Sequence, residues 1–150
     1  MDKPILEVDN SKPKNLFEAM QAVFLKRYNK PFGDGEPVVY EFTQDRAMLH
    51  QYYDLRDRLY KKTYHAHKDV TFGEDLHDKL SHILIARRGR LCLGGCRMTV
   101  RESDEKWDLP LEDKHSKLRE AFLELPLDRE RHAEISRFVV MEDCGEPDIF

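Results

Sequence analysis

The most informative segment of the chain is a run near its end, Glu134-Ile135-Ser136-Arg137-Phe138-Val139-Val140. Its β-branched and aromatic residues predict a strand over residues 133–141. Alternation along a strand would put Glu134 and Arg137 on opposite faces, whereas a β-bulge between them would bring both to one face. Charges on a buried strand are costly unless they pair, and they often mark a site. An ordinary edge-strand ion pair explains the same residues, so spacing alone leaves both interpretations open.

A second charged strand is predicted over residues 91–100, where Gly94 and Gly95 are followed by Arg97. Adjacent glycines let another backbone or a ligand approach closely, and Arg97 is then placed to join the charges of the last strand. A simple bend with a solvated arginine is the alternative.

An acidic segment over residues 74–78 carries Asp75 and Asp78 at helical spacing, so both carboxylates would share a face. Arg56 or Arg137 would be suitable partners for them. The alternative is an exposed acidic turn.

The order of the other elements predicts an α/β chain of the α+β type, a mixed sheet with helices on its faces. Breakers at residues 31–37 separate a polar lead and amphipathic helix, residues 1–35, from a domain over residues 36–150. Residues 87–90 are predicted to form a hairpin turn with Gly89 at positive φ, and residues 101–113 a loop. The remaining predictions are strands at 38–43 and 82–86, helices at 45–64 and 115–125, and a short helix or turn at 71–80.

Composition excludes several classes of protein. The 150 residues fit one domain, and a net charge of −4 lacks the basic excess of a nucleic-acid binder. Cys92, Cys96 and Cys144 form no CxxC pair, which disfavours zinc and disulfides and favours buried thiols in a reducing compartment. No apolar run approaches a membrane span and the N-terminus lacks a signal-peptide pattern, so we expect a cytoplasmic protein with no transmembrane segment.

Five short motifs follow one another in the order that one family of acyltransferases carries them. They are Arg56 with Tyr60, Asp75 with Asp78, Gly94-Gly95 with Arg97, Leu118-Arg119 with Phe122, and Glu134 with Ser136, Arg137, Phe138 and Val140. On these motifs, residues 55–140 resemble the acyl-homoserine-lactone (autoinducer) synthases, which have the GNAT fold. The segment after Tyr60 lacks the Trp usual in those enzymes, and the related N-acyl amino acid synthases fit equally well.

The resemblance implies a transferase that moves a fatty acyl group from an acyl-carrier-protein or coenzyme A thioester to the amine of an amino-acid-like acceptor, with no bound cofactor or metal. It implies catalytic roles for Glu134, as acceptor of the amine proton, and for Arg137, beside a bulge whose backbone N–H stabilises the oxyanion. Arg137 would hold the acceptor carboxylate with other arginines, or these would pair with the aspartates to shape its site. The implied substrate-binding residues are Arg56, Tyr60, Asp75, Asp78, Arg97, Phe122, Ser136 and Phe138.

The donor-binding loop and further strands that follow the equivalent strand in that family have no counterpart up to Phe150. We therefore expect a GNAT-like fold lacking its C-terminal strands, with a partner chain or a missing half completing it. Acyl carrier protein is acidic, so we expect it to dock on basic residues. The candidates are Arg87, Arg88 and Arg90 on the hairpin, or Lys114, Lys117 and Arg119; the alternative is that these residues are only solvated surface.

Alternative functions are a non-catalytic half-domain for binding or assembly and a generic acetyl-CoA-dependent acetyltransferase. A Cys96 nucleophile and a metal at His65 and His67 are weaker alternatives.

Overall fold

A computed structural model describes residues 15–21, 36–105, 107–114 and 131–142, and of residues 113 and 114 only the backbone. The predicted helix at 115–125 lies outside these ranges, as do Phe122, Lys117, Arg119 and Cys144. The helices are α1 (residues 16–21), α2 (Arg46–Thr63), a short 3₁₀ helix (Leu76–Leu80) and α3 (Pro110–Lys114). The strands are β1 (Val39–Thr43), β2 (His82–Arg88), β3 (Leu91–Arg101) and β4 (His132–Val140).

The four strands form one sheet in the order β1-β2-β3-β4, and every neighbouring pair is antiparallel. The α+β class predicted from the sequence is therefore confirmed at this coarse level. The mixed sheet of the prediction is antiparallel throughout the described strands. Among these strands β4 pairs with β3 alone, so β4 lies at an edge of the sheet.

The α2 helix packs on one face of the sheet. Asp45 caps its N-terminus by accepting from the N–H groups of Ala47 and Met48. The buried side chains Met48, Tyr52 and Leu55 form a core with Ile83, Ile85, Cys92 and Val139 of the strands. A separate core consists of Val38, Tyr40, Leu84, Ala86, Leu93 and Cys96.

Gly95 allows a close approach between α2 and the sheet. A Cβ built on this residue would lie 2.7 Å from the Leu84 carbonyl oxygen and 2.8 Å from Cδ2 of Tyr52. The close contact predicted for the glycine pair is thus made at Gly95 by the Tyr52 ring, and any larger residue would force the helix and strand apart.

The described part of the predicted N-terminal helix contacts the sheet through Phe17. Its ring stacks on His82 with centroids 3.6 Å apart and meets the Phe42 ring at an edge. Leu16 N–H donates to the Glu102 carboxylate over 3.2 Å. These residues of α1 therefore pack on the 36–150 region.

Two sequence predictions differ from the structure at element ends. Strand β2 continues through Arg87 and Arg88, predicted to lie in the turn, because Arg87 pairs with Val39 and donates to Glu41 over 3.0 Å. The turn itself contains Gly89 at a φ of 56°, as predicted. Strand β3 includes Arg101, and the predicted loop ends in α3, which Pro110 begins instead of interrupting.

A buried ion pair between Glu112 of α3 and Arg101 of β3 holds α3 against the sheet. Nη1 of Arg101 lies 2.6 Å from Oε2 of Glu112, and the same oxygen accepts from Leu109 N–H over 2.7 Å. Both side chains are almost completely buried. No helix in the described ranges combines the length and the apolar content that crossing a membrane requires.

Candidate functional site

A buried arginine–aspartate pair lies at the centre of the candidate site. Arg56 projects from α2 and Asp78 from the 3₁₀ helix, and both side chains have an exposed fraction of 0%. Nη1 and Nη2 of Arg56 lie 3.1 and 2.6 Å from Oδ1 and Oδ2 of Asp78, a bidentate arrangement. Arg56 also donates to the carbonyl oxygens of Phe72 and Gly73 and, over 3.5 Å, to the Tyr52 hydroxyl, so five acceptors surround one guanidinium.

Asp75 connects this pair to the sheet. It caps the 3₁₀ helix by accepting from Asp78 N–H, while its own N–H donates to Asp78 in return, which forms a capping box. Its Oδ1 lies 2.8 Å from Nη1 of Arg97 on β3, and its Oδ2 lies 3.1 Å from Nη2 of Arg137 on β4. The two carboxylates that spacing placed together therefore lie among three guanidinium groups.

The charges of this cluster affect the pKa values of Asp75 and Arg56. Burial would raise the pKa of the Asp75 carboxyl, but Arg97 and Arg137 outweigh burial and hold that pKa below its usual value. Burial would lower the pKa of Arg56, but its hydrogen bonds to Asp78 raise it. Arg56 is therefore charged, and the carboxylate of Asp75 is ionised at neutral pH.

Strand β4 bulges next to the cluster. The register moves from Gly95 opposite Val139 to Arg97 opposite Ser136, so β4 has one residue more than β3 over this interval. Arg137 has a φ of 59°, in the left-handed region that non-glycine residues rarely adopt. Of the two arrangements that the spacing left open, the structure has a bulge, but it comprises residues 137 and 138 opposite Cys96, because Glu134 to Ser136 pair regularly with Thr99 to Arg97.

Two tyrosines of α2 contact the bulge. The Tyr52 hydroxyl donates to the carbonyl oxygen of Arg137 over 2.9 Å, and the Tyr60 hydroxyl donates to that of Phe138 over 3.3 Å. The Arg137 guanidinium also lies over the Tyr60 ring, 5.8 Å from its centroid. Both the backbone and the side chain of Arg137 are therefore held from α2.

The cluster has an excess of positive charge. Three arginines, Arg56, Arg97 and Arg137, face two aspartates, Asp75 and Asp78, which leaves a formal charge of +1. Two buried polar atoms nearby, Nε of Arg97 and Oγ of Ser136, have no hydrogen-bond partner within the described chain, and their residues are opposite each other across β3 and β4. A buried site of this kind favours a small anion or another acceptor of hydrogen bonds.

Glu134 lies on the same face of the sheet as Arg97, because it pairs with Thr99, two residues further along β3. Its carboxylate accepts from Leu111 N–H over 2.7 Å, at the start of α3. Within the described residues it forms no ion pair with Arg97 or Arg137. The structure therefore places Glu134 beside the cluster, about 7 Å along the strand from Ser136, and outside its network of ion pairs.

The other predicted site residues have the following positions. Phe138 follows the bulge with about half of its side chain exposed, and Ser136 is half-buried. Phe122 lies outside the described residues. Arg87 is paired with Glu41 and Arg88 donates to the Glu36 carbonyl, while Arg90 is exposed, so a docking role for this hairpin stays a prediction.

Tyr52 is a member of the site that the motifs of the sequence did not single out. It lies one helical turn from Arg56, which lies one turn from Tyr60, so all three share a face of α2. That spacing was a usable signal, since the family motif already singled out Arg56 and Tyr60. The spacing did not predict the hydrogen bond from the Tyr52 hydroxyl to the carbonyl oxygen of Arg137.

The thiol and metal alternatives gain no support from the geometry. Burial raises the pKa of the Cys96 thiol to about 12, which keeps it protonated and unreactive. Cys92 is also buried, and burial raises its pKa. In the part of the chain that the structure describes, no three His, Cys, Asp or Glu side chains are grouped to hold a metal ion.

The chain matches no protein-family model, no curated protein and no solved structure. Fold and site geometry, together with the motifs of the sequence, are therefore the basis of any functional assignment.

Proposed function

We propose that this chain is an N-acyltransferase of the GNAT type, which moves an acyl group from a thioester to the amine of an amino-acid-like acceptor. The observation that carries the proposal is the cluster of three arginines and two aspartates beside a bulged strand. Acyl carrier protein or coenzyme A would carry the thioester, and the cytoplasm is the expected compartment.

The three arginines would have different tasks. Arg56 and Arg97 are buried and engaged by Asp75 and Asp78, so they shape the site. Arg137 is 19% exposed and, within the described chain, one carboxylate, that of Asp75, pairs with it. Its remaining N–H groups are suited to the carboxylate of an incoming acceptor. An acceptor bound there has its α-amine close to the bulge.

The reaction would be a direct transfer. The neutral amine attacks the thioester carbonyl carbon, a C–N bond forms, the C–S bond breaks, and the thiolate leaves and takes up a proton. Glu134, directly or through water, would accept the proton that the amine loses. A backbone N–H at the bulge would stabilise the oxyanion of the tetrahedral intermediate.

Mass spectrometry tests this proposal. The purified chain is incubated with a long-chain acyl-CoA or acyl carrier protein and a panel of amino acids and S-adenosylmethionine. We expect N-acyl amino acids or an acyl-homoserine lactone as products. Absence of any acylated product across the panel would favour a GNAT-like binding module, whose interaction surface would include the edge strand β4. An acetylated product from acetyl-CoA alone would favour the generic acetyltransferase.

The Glu134→Gln variant tests the proposed base. We expect at least a ~100-fold loss of product, because the amide does not accept a proton. The amide oxygen still accepts from Leu111 N–H, so circular dichroism and thermal stability should match those of the wild type. Glu105→Gln is the matched control, since Glu105 also accepts from a backbone N–H over 2.7 Å. Undiminished product from Glu134→Gln refutes the role.

A further inference from the structure

An open cavity lies between α1 and the segment over residues 102–107, on the face of the sheet opposite to the arginine–aspartate cluster. Its volume is about 600 Å³, within the range of small-molecule sites in proteins. His82 of β2 lines this cavity, and the adjacent Ile83 packs with α2. Because neighbouring residues of a strand point to opposite faces, His82 lies on the face that α2 does not cover. The cavity is therefore separate from the site around Arg56 and Arg97.

Three aromatic rings line the cavity, those of Phe17, His82 and Trp107. The Phe17 ring stacks on the His82 ring with centroids 3.6 Å apart, and this contact keeps the pair in one orientation. Burial lowers the pKa of His82, so its ring is neutral at neutral pH and does not repel a cation. Aromatic faces attract cations, and the face of tryptophan does so most strongly. The rings thus offer a surface that suits a cation with apolar groups.

Three carboxylates line the same cavity, those of Glu102, Asp104 and Glu105, and among the described residues that line it there is no arginine or lysine. Arg131 approaches Glu102 from outside, with Nε 3.9 Å from Oε2, whereas Asp104 and Glu105 have no ion pair within the described part of the chain. Carboxylates on a loop would not define a site alone. Here they share a cavity with aromatic rings, and its charge is negative.

A metal ion is the other kind of cation that carboxylates bind. In the ranges that the structure describes, no three His, Cys, Asp or Glu side chains are grouped to hold one. Hard metal ions also require several oxygen ligands, which aromatic rings do not provide. An ammonium group with an apolar body uses both kinds of side chain, since its charge lies near the carboxylates and its methyl or methylene groups lie on the rings.

We propose that this cavity binds a small organic cation of the alkylammonium or quaternary ammonium class. Trp107 and the stacked pair of Phe17 and His82 contact its apolar groups, and Asp104 and Glu105 compensate its charge. Binding involves neither the arginine–aspartate cluster nor a thioester, so this site is independent of the proposed acyl transfer.

Tryptophan fluorescence tests the proposal on the full chain, because Trp107 is the only tryptophan in the sequence and reports on this cavity. The probes are choline, tetramethylammonium, calcium chloride and dimethylbutanol, the neutral isostere of choline in which carbon replaces nitrogen. We expect a saturable change with both ammonium ions, binding of dimethylbutanol at least about fivefold weaker than that of choline, and no response to Ca²⁺. Equal binding of choline and dimethylbutanol would show an apolar cavity without preference for a cation. A response to Ca²⁺ alone would show a metal site, and no response to either ammonium ion overturns the proposal.

Variants locate the binding site, and broadening of the choline methyl signal in NMR measures affinity where the tryptophan is absent. We expect Trp107→Leu to weaken choline binding about tenfold and Asp104→Asn about threefold, because an exposed charge contributes less than a cation–π contact in a cavity. Asp54→Asn serves as the control, since Asp54 is an exposed carboxylate on α2, and its affinity should equal that of the wild type. The Asp104 side chain is exposed, so Asp104→Asn remains informative even if Trp107→Leu unfolds. Equal affinities of Asp104→Asn and Asp54→Asn would contradict the role of the cavity's charge.

Discussion

Arg56 and Asp78 are completely buried, so neither charge has water to solvate it. A buried pair of this kind contributes little net stability relative to apolar residues, but removal of one partner leaves an uncompensated charge in the interior. The pair therefore favours one particular packing of α2 against the 3₁₀ helix, the one in which both charges are compensated.

The Asp78→Asn variant tests how much an uncompensated buried charge destabilises the fold. The change keeps the size of the side chain and raises the formal charge of the cluster from +1 to +2, because Arg56, Arg97 and Arg137 then face Asp75 alone. We expect the free energy of unfolding, measured by urea denaturation, to fall by about 3–5 kcal/mol. Asp54→Asn is the control, since Asp54 lies on α2, the helix of Arg56, with 69% of its side chain exposed. Equal stabilities of the two variants would show that the buried charge is compensated in another way.

Sequence reasoning at this scale identified residue types and missed some partners. It proposed Arg56 and Arg137 for Asp75 and Asp78, and the structure pairs Arg56 with Asp78 and Arg137 with Asp75. The hydrogen bond from Tyr52 to Arg137 was not accessible, because it joins residues 85 positions apart and involves a backbone atom. Spacing along a helix shows which side chains are neighbours, but it does not show what an opposing strand presents to them.

Strand β4 stores backbone strain at its bulge. Arg137 occupies the left-handed region, which costs a residue with a Cβ about 1–2 kcal/mol. The ion pair with Asp75 and the hydrogen bond from Tyr52 to the carbonyl hold it there. Such strain persists only where surrounding contacts fix it, and it is frequent at functional sites.

Replacing Arg137 with Gly and with Ala separates the strain from the ion pair. Both variants lose the guanidinium, but glycine adopts positive φ without a Cβ clash. We expect Arg137→Gly to be about 1 kcal/mol more stable to urea than Arg137→Ala, the reverse of the order in a regular strand. Ser136→Gly and Ser136→Ala provide that regular reference one residue away. A more stable alanine variant at both positions would show that residue 137 is not left-handed.

The elements themselves were mostly predictable, because hydrophobic periodicity depends on local burial. The predicted strand at 133–141 is β4 at His132–Val140, and the helix predicted at 45–64 is α2 at Arg46–Thr63. Element ends were less accessible. Strand β2 extends beyond its apolar residues because Arg87 forms an ion pair with Glu41 on β1. Helix α3 forms because the carboxylates of Glu112 and Glu134 accept hydrogen bonds from N–H groups at its start.

Across the whole molecule the charge cluster connects elements that are far apart in sequence. Asp75 joins the 3₁₀ helix to β3 through Arg97 and to β4 through Arg137, 62 positions away. The α2 helix enters the same network through Arg56 and Asp78. Protonation of Asp75 therefore acts on contacts that connect the 3₁₀ helix, β3 and β4.

The dependence of stability on pH follows from the lowered pKa of Asp75. Because the carboxyl has a lower pKa in the folded chain than its unfolded value of about 3.9, its ionised form stabilises the fold at pH values above about 3.9. That contribution is lost as the pH falls through the folded pKa. Asn at position 75 still caps the 3₁₀ helix and has no charge to titrate.

We therefore expect urea denaturation to show Asp75→Asn less stable than the wild type at neutral pH, with a difference that shrinks as the pH falls below about 3.9 and the wild type loses the charge as well. Asp69→Asn, on a carboxylate with 77% of its side chain exposed, should run parallel to the wild type over the same range. A constant difference between wild type and Asp75→Asn from neutral pH to about pH 2 would mean that Asp75 stabilises the fold through hydrogen bonds alone. The three guanidinium groups around it would then contribute through geometry, and their charge would be available to a ligand.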